Sequence, residues 1–512
     1  MRTIDYPNTM QNLVVLEYAA PGRMGFNIKP LEPGLFRLMV WPRGMADADL
    51  FRHALLEFEF AAGPPRRVTM DLVGSPHRAF RFWEWRLIPT RENATPLEDL
   101  SRALFGLENT HRGVFELAPP ERANRARCVA WSCHMPYETR NGVAVMEKDA
   151  LKILDWYAKE IHKFRPDVIW GGGDTAYSDG TSATDFANEV YGKGNWYRNP
   201  ESREWLRREY RNMYRHFWSL EPMRTVLASY PHLFIWDDHE IRDGWGSEGM
   251  DFRPGNLEMF RIAKEVAEEF ILNSGPRVRP DAFETHQAYV AGPLAAFIFD
   301  TRSQRNYENP GEKLISREQF EDFTAFLDIV KTDSNVTDLI TQTSVPFVGL
   351  RTWTTELVTR LPKFLTDWAL RGVRDDVRDS WTSPGNLPTL SAVLDVLQTF
   401  MAARPDVRVT NVSGDIHVAQ AYKIMMPGAT APIHQLTTSA ITNRTHPSDL
   451  VAALIEISRD EFIPGVGLVS RVWDTVTDPN ILTIDISGGR AKFDLKVWNQ
   501  DHPGESDLSL TL

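Results

Sequence analysis

Side chains that could bind metal ions or transfer protons follow several short apolar stretches of the sequence. The stretch FIWDDHE at residues 234–240 is typical, because a hydrophobic run leads directly into two aspartates, a histidine and a glutamate. Carboxylate, imidazole, thiol or phenol groups recur after the other stretches. The groups are Ser132-Cys133-His134, Asp174 with Tyr177 and Asp179, Asp237-Asp238-His239, Asp300-Thr301-Arg302, and Asp415-Ile416-His417.

These groups are far apart in the sequence, but the fold can bring them together. In open α/β sheets, ligands bind beyond the carboxyl ends of the strands, so side chains at those ends converge. So many anionic groups can be buried together only if cations neutralise them. Two neighbouring metal ions meet that requirement. Such a pair activates a hydroxide and stabilises the attacking and leaving oxygens in a displacement at phosphorus.

No single member of this set is a specific signal. An aspartate after a strand is more often a helix cap or a turn residue, and a lone histidine there is more often structural. The sequence GGGD at residues 171–174 could suggest a loop that cradles phosphate, but the Lys-Ser/Thr pair that such a loop requires is missing. Recurrence after five apolar stretches is what favours a metal site.

The surrounding pattern predicts the elements that carry these groups. Residues 1–120 contain period-two stretches such as LFRLMVW and FRFWEWRLI, which favour antiparallel strands. From residue 127, RCVAWSC and DVIWGGGD have the pattern of buried strands. Between them Leu151, Leu154, Ala158 and Ile161 have helical spacing, so this unit predicts a parallel strand pair.

A second helix and a domain boundary are also predicted. The helix covers NPESREWLRREYRNMYRHFW, with Asn199 as its cap and Pro200 in its first turn. The linker-like LAPPERANRAR separates an N-terminal β-rich domain at residues 1–122 from a catalytic domain at residues 123–512. A Gly-Gly pair near the C-terminus predicts a final β-hairpin.

Composition and charge limit the possible functions. The chain has 512 residues, 42% of them hydrophobic, as in an ordinary globular protein, and its formal charge of -12 argues against a large nucleic-acid-binding surface. Cys128 and Cys133 stand five apart on one predicted strand, so we expect no disulfide between them. Neither a secretory signal nor an apolar run of about 18 residues is visible, which predicts a cytoplasmic protein without a membrane span. The oligomeric state cannot be predicted.

Four sequence blocks together resemble one family. GGGDTAYSDG, WDDHEIRDGWGS, FDTRSQR and SGDIHVA, in this order after a strand that ends in SC, resemble the PhoD-like branch of the calcineurin-like metallophosphoesterases. The resemblance covers about residues 125–430. It implies an α/β fold with four layers (αββα), two of them central sheets, and a dinuclear metal site at the strand ends.

The resemblance also implies roles for individual residues. The ferric site would be formed by Cys133, Tyr177 and His417, the second metal site by Asp238 and Asp415, and Asp174 would bridge the two. The position of His239 stabilises the leaving group in the wider superfamily, and Arg302 takes the place of a phosphate-binding arginine. Asp237 is grouped with these two catalytic residues, although either Asp237 or Asp238 could turn into the metal site.

The chemistry of the side chains agrees with these roles. A phenol ionises at neutral pH only beside a strong Lewis acid, so Tyr177 as a ligand indicates a trivalent ion such as Fe³⁺. A thiolate at Cys133 excludes Mg²⁺ and Ca²⁺ from that position. The oxygen donors of the second site suit a hard divalent ion such as Ca²⁺. Otherwise, Tyr177 would be a packed aromatic residue and Cys133 a small buried hydrophobic one.

Three further residues lie close to these ligands. His134 directly follows Cys133 and could be an additional metal ligand or a substrate contact. Asp243 could be a ligand or the cap of a turn with Gly244. Glu240 is expected to orient a neighbouring ligand.

The sequence thus predicts a metal-dependent hydrolase of small phosphate mono- or diesters. Appreciable diesterase activity is expected from Arg302 together with Trp196, Trp245 and Trp381, which could line a cleft for an organic leaving group. The alternative is a catalytically inert protein that keeps the fold and its metals for structural or interaction purposes.

Overall fold

The architecture is given by a computed structural model. It describes residues 2, 4–20, 23–43, 55–61, 63–72, 82–90, 98, 111–116, 124–307, 314–349, 378–442, 460–499, 504 and 506–512. The α-helices of the described residues are α1 (Ala150–Phe164), α2 (Pro200–Trp218), α3 (Glu221–Leu227), α4 (Pro254–Phe270), α5 (Arg317–Thr332) and α6 (Leu387–Ala403).

The first large sheet has nine strands. Across the sheet they are β23 (Leu508–Thr511), β22 (Arg490–Val497), β21 (Asn480–Ser487), β8 (Arg125–Trp131), β11 (Val168–Gly172), β12 (His232–Ile235), β1 (Leu13–Ala20), β2 (Arg23–Lys29) and β5 (Arg66–Asp71). The predicted parallel pair of β8 and β11 is confirmed, and β12 continues the parallel arrangement beside β11. The predicted C-terminal hairpin is confirmed as the antiparallel pair of β21 and β22.

The second large sheet has eight strands. Across the sheet they are β13 (Gln287–Ala291), β14 (Leu294–Ile298), β15 (Asp338–Gln342), β16 (Arg408–Ser413), β18 (Ile433–Thr437), β17 (Ala419–Met425), β20 (Gly467–Val476) and β19 (Asp460–Ile463). The strands β14, β15, β16 and β18 are parallel neighbours. Their carboxyl ends therefore lie along one edge of this sheet.

The two large sheets form the middle of a four-layer α/β sandwich. Side chains of β8, β11 and β12 pack against those of β14, β16 and β17 in a shared apolar core. Helices α1, α2 and α4 cover the outer face of the nine-stranded sheet, and α5 and α6 cover the outer face of the eight-stranded sheet. The predicted αββα layering is confirmed.

The N-terminal strands are divided between two sheets. A four-stranded antiparallel sheet contains β4 (Leu55–Phe60), β3 (Gly34–Pro42), β6 (Phe82–Pro89) and β7 (His111–Glu116). It packs on β1 and β2, with Phe26 making edge contacts to Trp85 and Phe115. Because β1, β2 and β5 belong to the nine-stranded sheet, that sheet crosses the boundary expected at residues 122 and 123. The strands β9 (Tyr137–Arg140) and β10 (Val143–Met146) form a separate hairpin.

Local sequence explains how the two predicted helices form. The Asn199 side chain accepts a hydrogen bond from the Glu201 amide at 2.9 Å, and Pro200 occupies the first turn of α2, as predicted. In α1, Leu154, Ala158 and Ile161 are buried as expected, but Leu151 is 49% exposed and lies off that face. No helix in the described part of the chain combines the length and apolar character needed to cross a bilayer.

Candidate metal centre

The predicted ligand residues follow the carboxyl ends of parallel strands in both large sheets. Cys133 follows β8, Asp174 follows β11 and Asp238 follows β12, and these three strands are adjacent and paired in register. Asp415 and His417 follow β16 of the facing sheet. The two sheets therefore deliver their polar strand ends to one place.

Ligand-type atoms converge there in three overlapping groups, each with its atoms within 4.8 Å of one another. The groups are Cys133, Asp174 and His417; Asp174, Asp238 and His239; and Asp174, Asp237, Asp238 and Asp415. Asp174 belongs to all three groups. Its position is therefore the one that a bridging carboxylate would need.

Four of these residues have a left-handed backbone conformation that residues other than glycine rarely adopt. The φ angle is 57° at Cys133, 53° at Asp174, 70° at Asp415 and 54° at His417. Each such residue costs on the order of 1–3 kcal/mol, and strain of this kind clusters at functional sites. All four are predicted metal ligands, so this backbone strain lies at residues whose side chains must point into the candidate metal centre.

Two glycines let the strand ends approach each other closely. Gly173, with a φ of 100°, would place a Cβ only 2.7 Å from the Cβ of Asp237. A Cβ on Gly414 would clash with the Oγ of Ser132, across the gap between the two sheets. The last glycine of GGGD thus permits close packing of the ligand-bearing loops.

One side of the site combines a thiol, a phenol, an imidazole and a carboxylate. The Tyr177 hydroxyl donates a hydrogen bond to Asp174 Oδ2 at 3.1 Å and lies 3.3 Å from His417 Nε2. The Sγ of Cys133 lies 3.6 Å from the same Asp174 oxygen. Ligand atoms that bind one ion at about 2.0–2.3 Å stand roughly 3–3.5 Å apart. These four atoms therefore have the spacing of a shared coordination shell.

The other side of the site is a cluster of buried carboxylates. Asp174 Oδ1 and Asp237 Oδ2 are buried without a hydrogen-bond partner among the described residues. Burial, followed by repulsion from neighbouring carboxylates, raises the pKa of Asp415 well above its usual range. Burial likewise raises the pKa of Asp174. A cation would satisfy the two unpartnered oxygens and favour the ionised carboxylates, so the residues present fit a metal centre.

Asp238 is held in its ionised form by neighbouring groups. Its two carboxylate oxygens accept hydrogen bonds from the amides of His239, at 3.0 Å, and Gly244, at 2.6 Å. Burial alone would raise the pKa of Asp238, but the charges of His239 and Arg302 outweigh it and lower this pKa to about 2. Asp238 is therefore ready to bind a cation.

His239 is the part of the cluster best placed to meet a substrate. Its side chain is 19% exposed, and its Nδ1 lies 2.7 Å from Asp179 Oδ1. Burial lowers the pKa of His239, but Asp179, Asp238 and Asp174 more than compensate and raise it well above its usual value. These carboxylates therefore favour the protonated, hydrogen-bond-donating form of the imidazole. Asp179 lies within the block GGGDTAYSDG, but its contact with His239 cannot be read from the motif.

Glu240 orients the loops that carry the ligands. Its carboxylate accepts hydrogen bonds from the amides of Asp174 at 3.0 Å, Asp237 at 2.8 Å and Thr175 at 2.5 Å. Glu240 belongs to none of the three candidate ligand groups found among the described residues. This position agrees with the expected supporting role of Glu240.

The expected phosphate-binding role of Arg302 does not match its position. Its side chain is fully buried, and its guanidinium pairs with Asp237 and, at 2.7 Å, with Asp379. Its Nη1 also donates to the carbonyl of Trp245 at 3.1 Å. Arg302 therefore lies against one carboxylate of the cluster, Asp237, and one beside it, Asp379, and its donors face those groups and not solvent.

The position of His134 also corrects an expectation. Its Nδ1 lies 3.0 Å from Thr442 Oγ1 and its Nε2 lies 3.2 Å from the carbonyl of Phe217. Both ring nitrogens are thus engaged away from the cluster, and His134 belongs to none of the candidate ligand groups. Among the described residues, its position is that of a hydrogen-bonded structural residue outside the candidate ligand groups.

Two of the tryptophans expected to line a cleft are core residues. Trp245 stacks on Phe260 and is buried, and Trp381 packs edge-on against Phe347 and is also buried. The diesterase expectation rested partly on these side chains and on Arg302, so the structure removes that support. Asp243 is outside the candidate ligand groups, and its amide donates to Asp179 at 2.5 Å.

Comparison with known proteins agrees with the resemblance seen in the motifs. The sequence profile of the PhoD-like phosphatases matches residues 152–461. No curated protein has a significant match. Among solved structures, PhoD is similar with a TM-score of 0.60 and 14% identity, over 100% of this chain and 91% of PhoD. A purple acid phosphatase from seeds of yellow lupin (Lupinus luteus) is similar with a TM-score of 0.53 and 10% identity, over 98% of this chain and 74% of that one. At these identities the likeness shows the fold, which is a metallophosphoesterase-like α/β fold.

Proposed function

The chain belongs to the family of PhoD-like phosphatases and is a metal-dependent phosphoric ester hydrolase, and from this premise we propose that it hydrolyses small phosphate mono- or diesters at a centre of two metal ions. The observation that carries this proposal is the buried cluster around Asp174, whose carboxylate takes part in all three ligand groups. A carboxylate shared in this way supports two ions rather than one. The family membership argues against the alternative of an inert binding protein.

The donor types support different metals on the two sides of Asp174. Cys133, Tyr177 and His417 offer a thiolate, a phenolate and an imidazole, which suit Fe³⁺ and exclude Ca²⁺. Asp238 and Asp415 add oxygen donors, which suit Ca²⁺ or another hard divalent ion. When bound, the two ions supply Lewis acidity to a water molecule and to the phosphoryl oxygens.

His239 is the residue proposed to act on the substrate. Its protonated imidazole can donate a proton or a hydrogen bond to the departing oxygen, a contribution of typically about 10²–10⁴-fold in rate. Asp179 holds Nδ1 at 2.7 Å, which fixes the orientation of the ring and leaves Nε2 to face the reacting groups. The Tyr177 ring packs against the imidazole with the ring centres 4.2 Å apart and restricts it further.

Asp237 is proposed to support the metal centre with a carboxylate that its hydrogen-bond partners hold in place. Its Oδ1 accepts from Arg302 and, at 2.9 Å, from Ser344, whereas Oδ2 has no partner among the described residues. Asp237 can therefore offer Oδ2 to a cation while Oδ1 is held in place. This arrangement makes Asp237 a supporting carboxylate and not a proton-transfer group.

Metal content and turnover together test the proposal. Protein purified without chelator should contain about two metal ions per chain, one of them iron, and should turn over a chromogenic phosphate monoester or its diester analogue. Removing the ions by chelation should abolish turnover, and adding them back should restore it. Active protein without any transition metal would contradict the ferric site. Metal-loaded protein that cleaves neither ester would contradict the proposed substrates.

A further inference from the structure

A buried serine joins two of the candidate iron ligands. Ser439 follows β18, the parallel neighbour of the strand β16 that leads to His417. Its Oγ lies 3.1 Å from the Sγ of Cys133 and 3.1 Å from the backbone nitrogen of His417. Cys133 comes from the nine-stranded sheet and His417 from the eight-stranded sheet. One hydroxyl therefore links ligands that the two sheets deliver separately.

The direction of the two hydrogen bonds follows from the groups involved. The amide of His417 can only donate, so Ser439 Oγ accepts from it. The single hydroxyl hydrogen of Ser439 then points to the sulfur of Cys133, its other partner among the described residues. Ser132 has a hydroxyl close by, but it donates to the carbonyl of Thr438 at 3.0 Å. Ser439 is therefore the hydroxyl that donates to this sulfur.

Asn480 holds Ser439 in place from the C-terminal hairpin. Its Oδ1 accepts hydrogen bonds from the amide of Ser439 at 3.1 Å and from Oγ1 of Thr438 at 3.0 Å. Its Nδ2 donates to the carbonyls of Ser439 at 2.7 Å and Asp478 at 2.9 Å. Asn480 is fully buried. One side chain thus binds both backbone polar groups of Ser439, which fixes the position of the hydroxyl.

This support comes from a part of the chain without an assigned role. Asn480 is the first residue of β21 and lies outside residues 152–461, which the family profile matches. Strand β21 pairs antiparallel with β8, with Leu482 opposite Ala130. The start of β21 therefore lies beside the carboxyl end of β8, which leads to Cys133. Neither Ser439 nor Asn480 belongs to the four sequence blocks that resemble the family.

The chemistry of a metal-bound thiolate gives this contact a function. A hydrogen bond to the sulfur stabilises its lone pairs, so the sulfur donates less charge to the metal, and such bonds adjust the properties of metal centres with thiolate ligands. We propose, on the basis of the ferric site in the proposed function, that Ser439 is a positioning residue of that site. It fixes the directions of Cys133 and His417 and sets the donor strength of the thiolate, and Asn480 supports it.

Iron binding and the absorption spectrum of the iron-loaded protein test the proposal. Ser439→Ala should lower the affinity for iron by about 10–100-fold, as is typical for the loss of a group that orients metal ligands, when the protein competes with a chelator. Its thiolate-to-iron absorption band should move to longer wavelength, because the sulfur lone pairs are no longer stabilised. Ser439→Thr keeps the hydroxyl and should retain the parental affinity and band.

The matched control is Ser274→Ala. Ser274 is also a buried serine, and its hydroxyl accepts from the amide of Phe234 at 2.8 Å, so this variant should change neither readout. If the parent binds iron and Ser439→Ala has the affinity and band of Ser274→Ala, the role of Ser439 is overturned and the proposed function stands. A parent that binds no iron would instead contradict the ferric site itself, and the role of Ser439 with it.

A measurement on the parent keeps the proposal testable if Ser439→Ala does not fold. The proton that Ser439 donates to the sulfur exchanges with solvent. The iron–sulfur stretching frequency in the resonance Raman spectrum should therefore differ between H₂O and D₂O. Identical frequencies in the two solvents would show that no exchangeable proton is donated to Cys133, which would overturn the proposal.

Discussion

Replacement of Arg302 by methionine should destabilise the protein and leave the Michaelis constant almost unchanged. Methionine keeps much of the apolar volume of the side chain but removes the charge and every donor. Asp237 and Asp379 would then be buried beside each other without the cation that now links them. Removing one partner of a buried ion pair is strongly destabilising, because the remaining charge is uncompensated.

The size of the effect follows from the groups that remain. Loss of one partner of a buried pair typically costs about 3–5 kcal/mol. Arg305 pairs with Asp379, Ser247 also donates to Asp379 at 2.9 Å, and Ser344 donates to Asp237 at 2.9 Å, so each carboxylate keeps at least one favourable contact. We therefore expect a loss near the lower end, about 3 kcal/mol in the free energy of unfolding.

Urea unfolding of the metal-loaded protein measures this loss. With a slope of about 3 kcal/mol per molar urea for a large chain, the midpoint should fall by about 1 M. The matched control is Arg317→Met, which breaks an exposed pair with Glu321 and should change the stability by less than about 1 kcal/mol. Steady-state kinetics on the same samples should show a Michaelis constant within about threefold of the parent.

The opposite pattern would refute this reasoning. If Arg302→Met unfolded at the same urea concentration as the parent while its Michaelis constant rose more than about tenfold, Arg302 would have to contact the substrate. The buried position described above would then not be the one that acts in catalysis.

Three further predictions concern the metal centre and one carboxylate outside it. Asp238→Ala should lose most of one metal equivalent together with activity, whereas His239→Ala should keep both metals, fold normally and have its turnover number reduced by a factor of about 10²–10⁴. Metal analysis and steady-state kinetics on the same samples separate the two variants. Metal loss in His239→Ala would contradict the role assigned to His239. Tyr177→Phe should lose the visible colour of a ferric phenolate, and an unchanged absorption spectrum would exclude Tyr177 as a ligand. Burial raises the pKa of Glu284 from 4.5 to about 7. Between these pH values Glu284 is protonated in the folded protein but ionised in the unfolded chain. The free energy of unfolding should therefore fall by about 3 kcal/mol as the pH rises through this window. Urea midpoints at pH 5 and pH 8 should show this fall in the parent and in the exposed control Glu318→Gln, and a smaller fall in Glu284→Gln, because Glu240, whose pKa is raised to about 7, still titrates in the same window.

Much of the fold could be predicted because local sequence determines it. The buried strands are short apolar runs, and α2 carries its own cap at Asn199, so both kinds of element follow from nearby residues. The order of the ligand-bearing strand ends follows as well, since polar residues directly after an apolar run must lie at the carboxyl end of a strand.

The arrangement of the N-terminal strands could not be predicted in the same way. Period-two alternation indicates a strand with one buried face, but not which sheet the strand joins. In the structure Glu17 of β1 pairs in parallel with His232 of β12, a residue far along the chain. The remaining N-terminal strands β3, β4, β6 and β7 form a sheet of their own with the same alternation. Only packing between distant segments distinguishes the two sets.

The direction of a side chain is the second kind of information that motif spacing does not contain. An arginine two residues after a strand can face a substrate or the carboxylates that surround the site, and both positions satisfy the same motif. The deciding residue for Arg302 is Asp379, which belongs to none of the four sequence blocks and pairs with it from a distant segment. With Asp174, Asp237, Asp238 and Asp415 already clustered, a fifth buried carboxylate requires an internal cation in addition to the metal ions. Counting carboxylates against cations around the site would therefore have identified Arg302 as a supporting residue once Asp379 was known to be near.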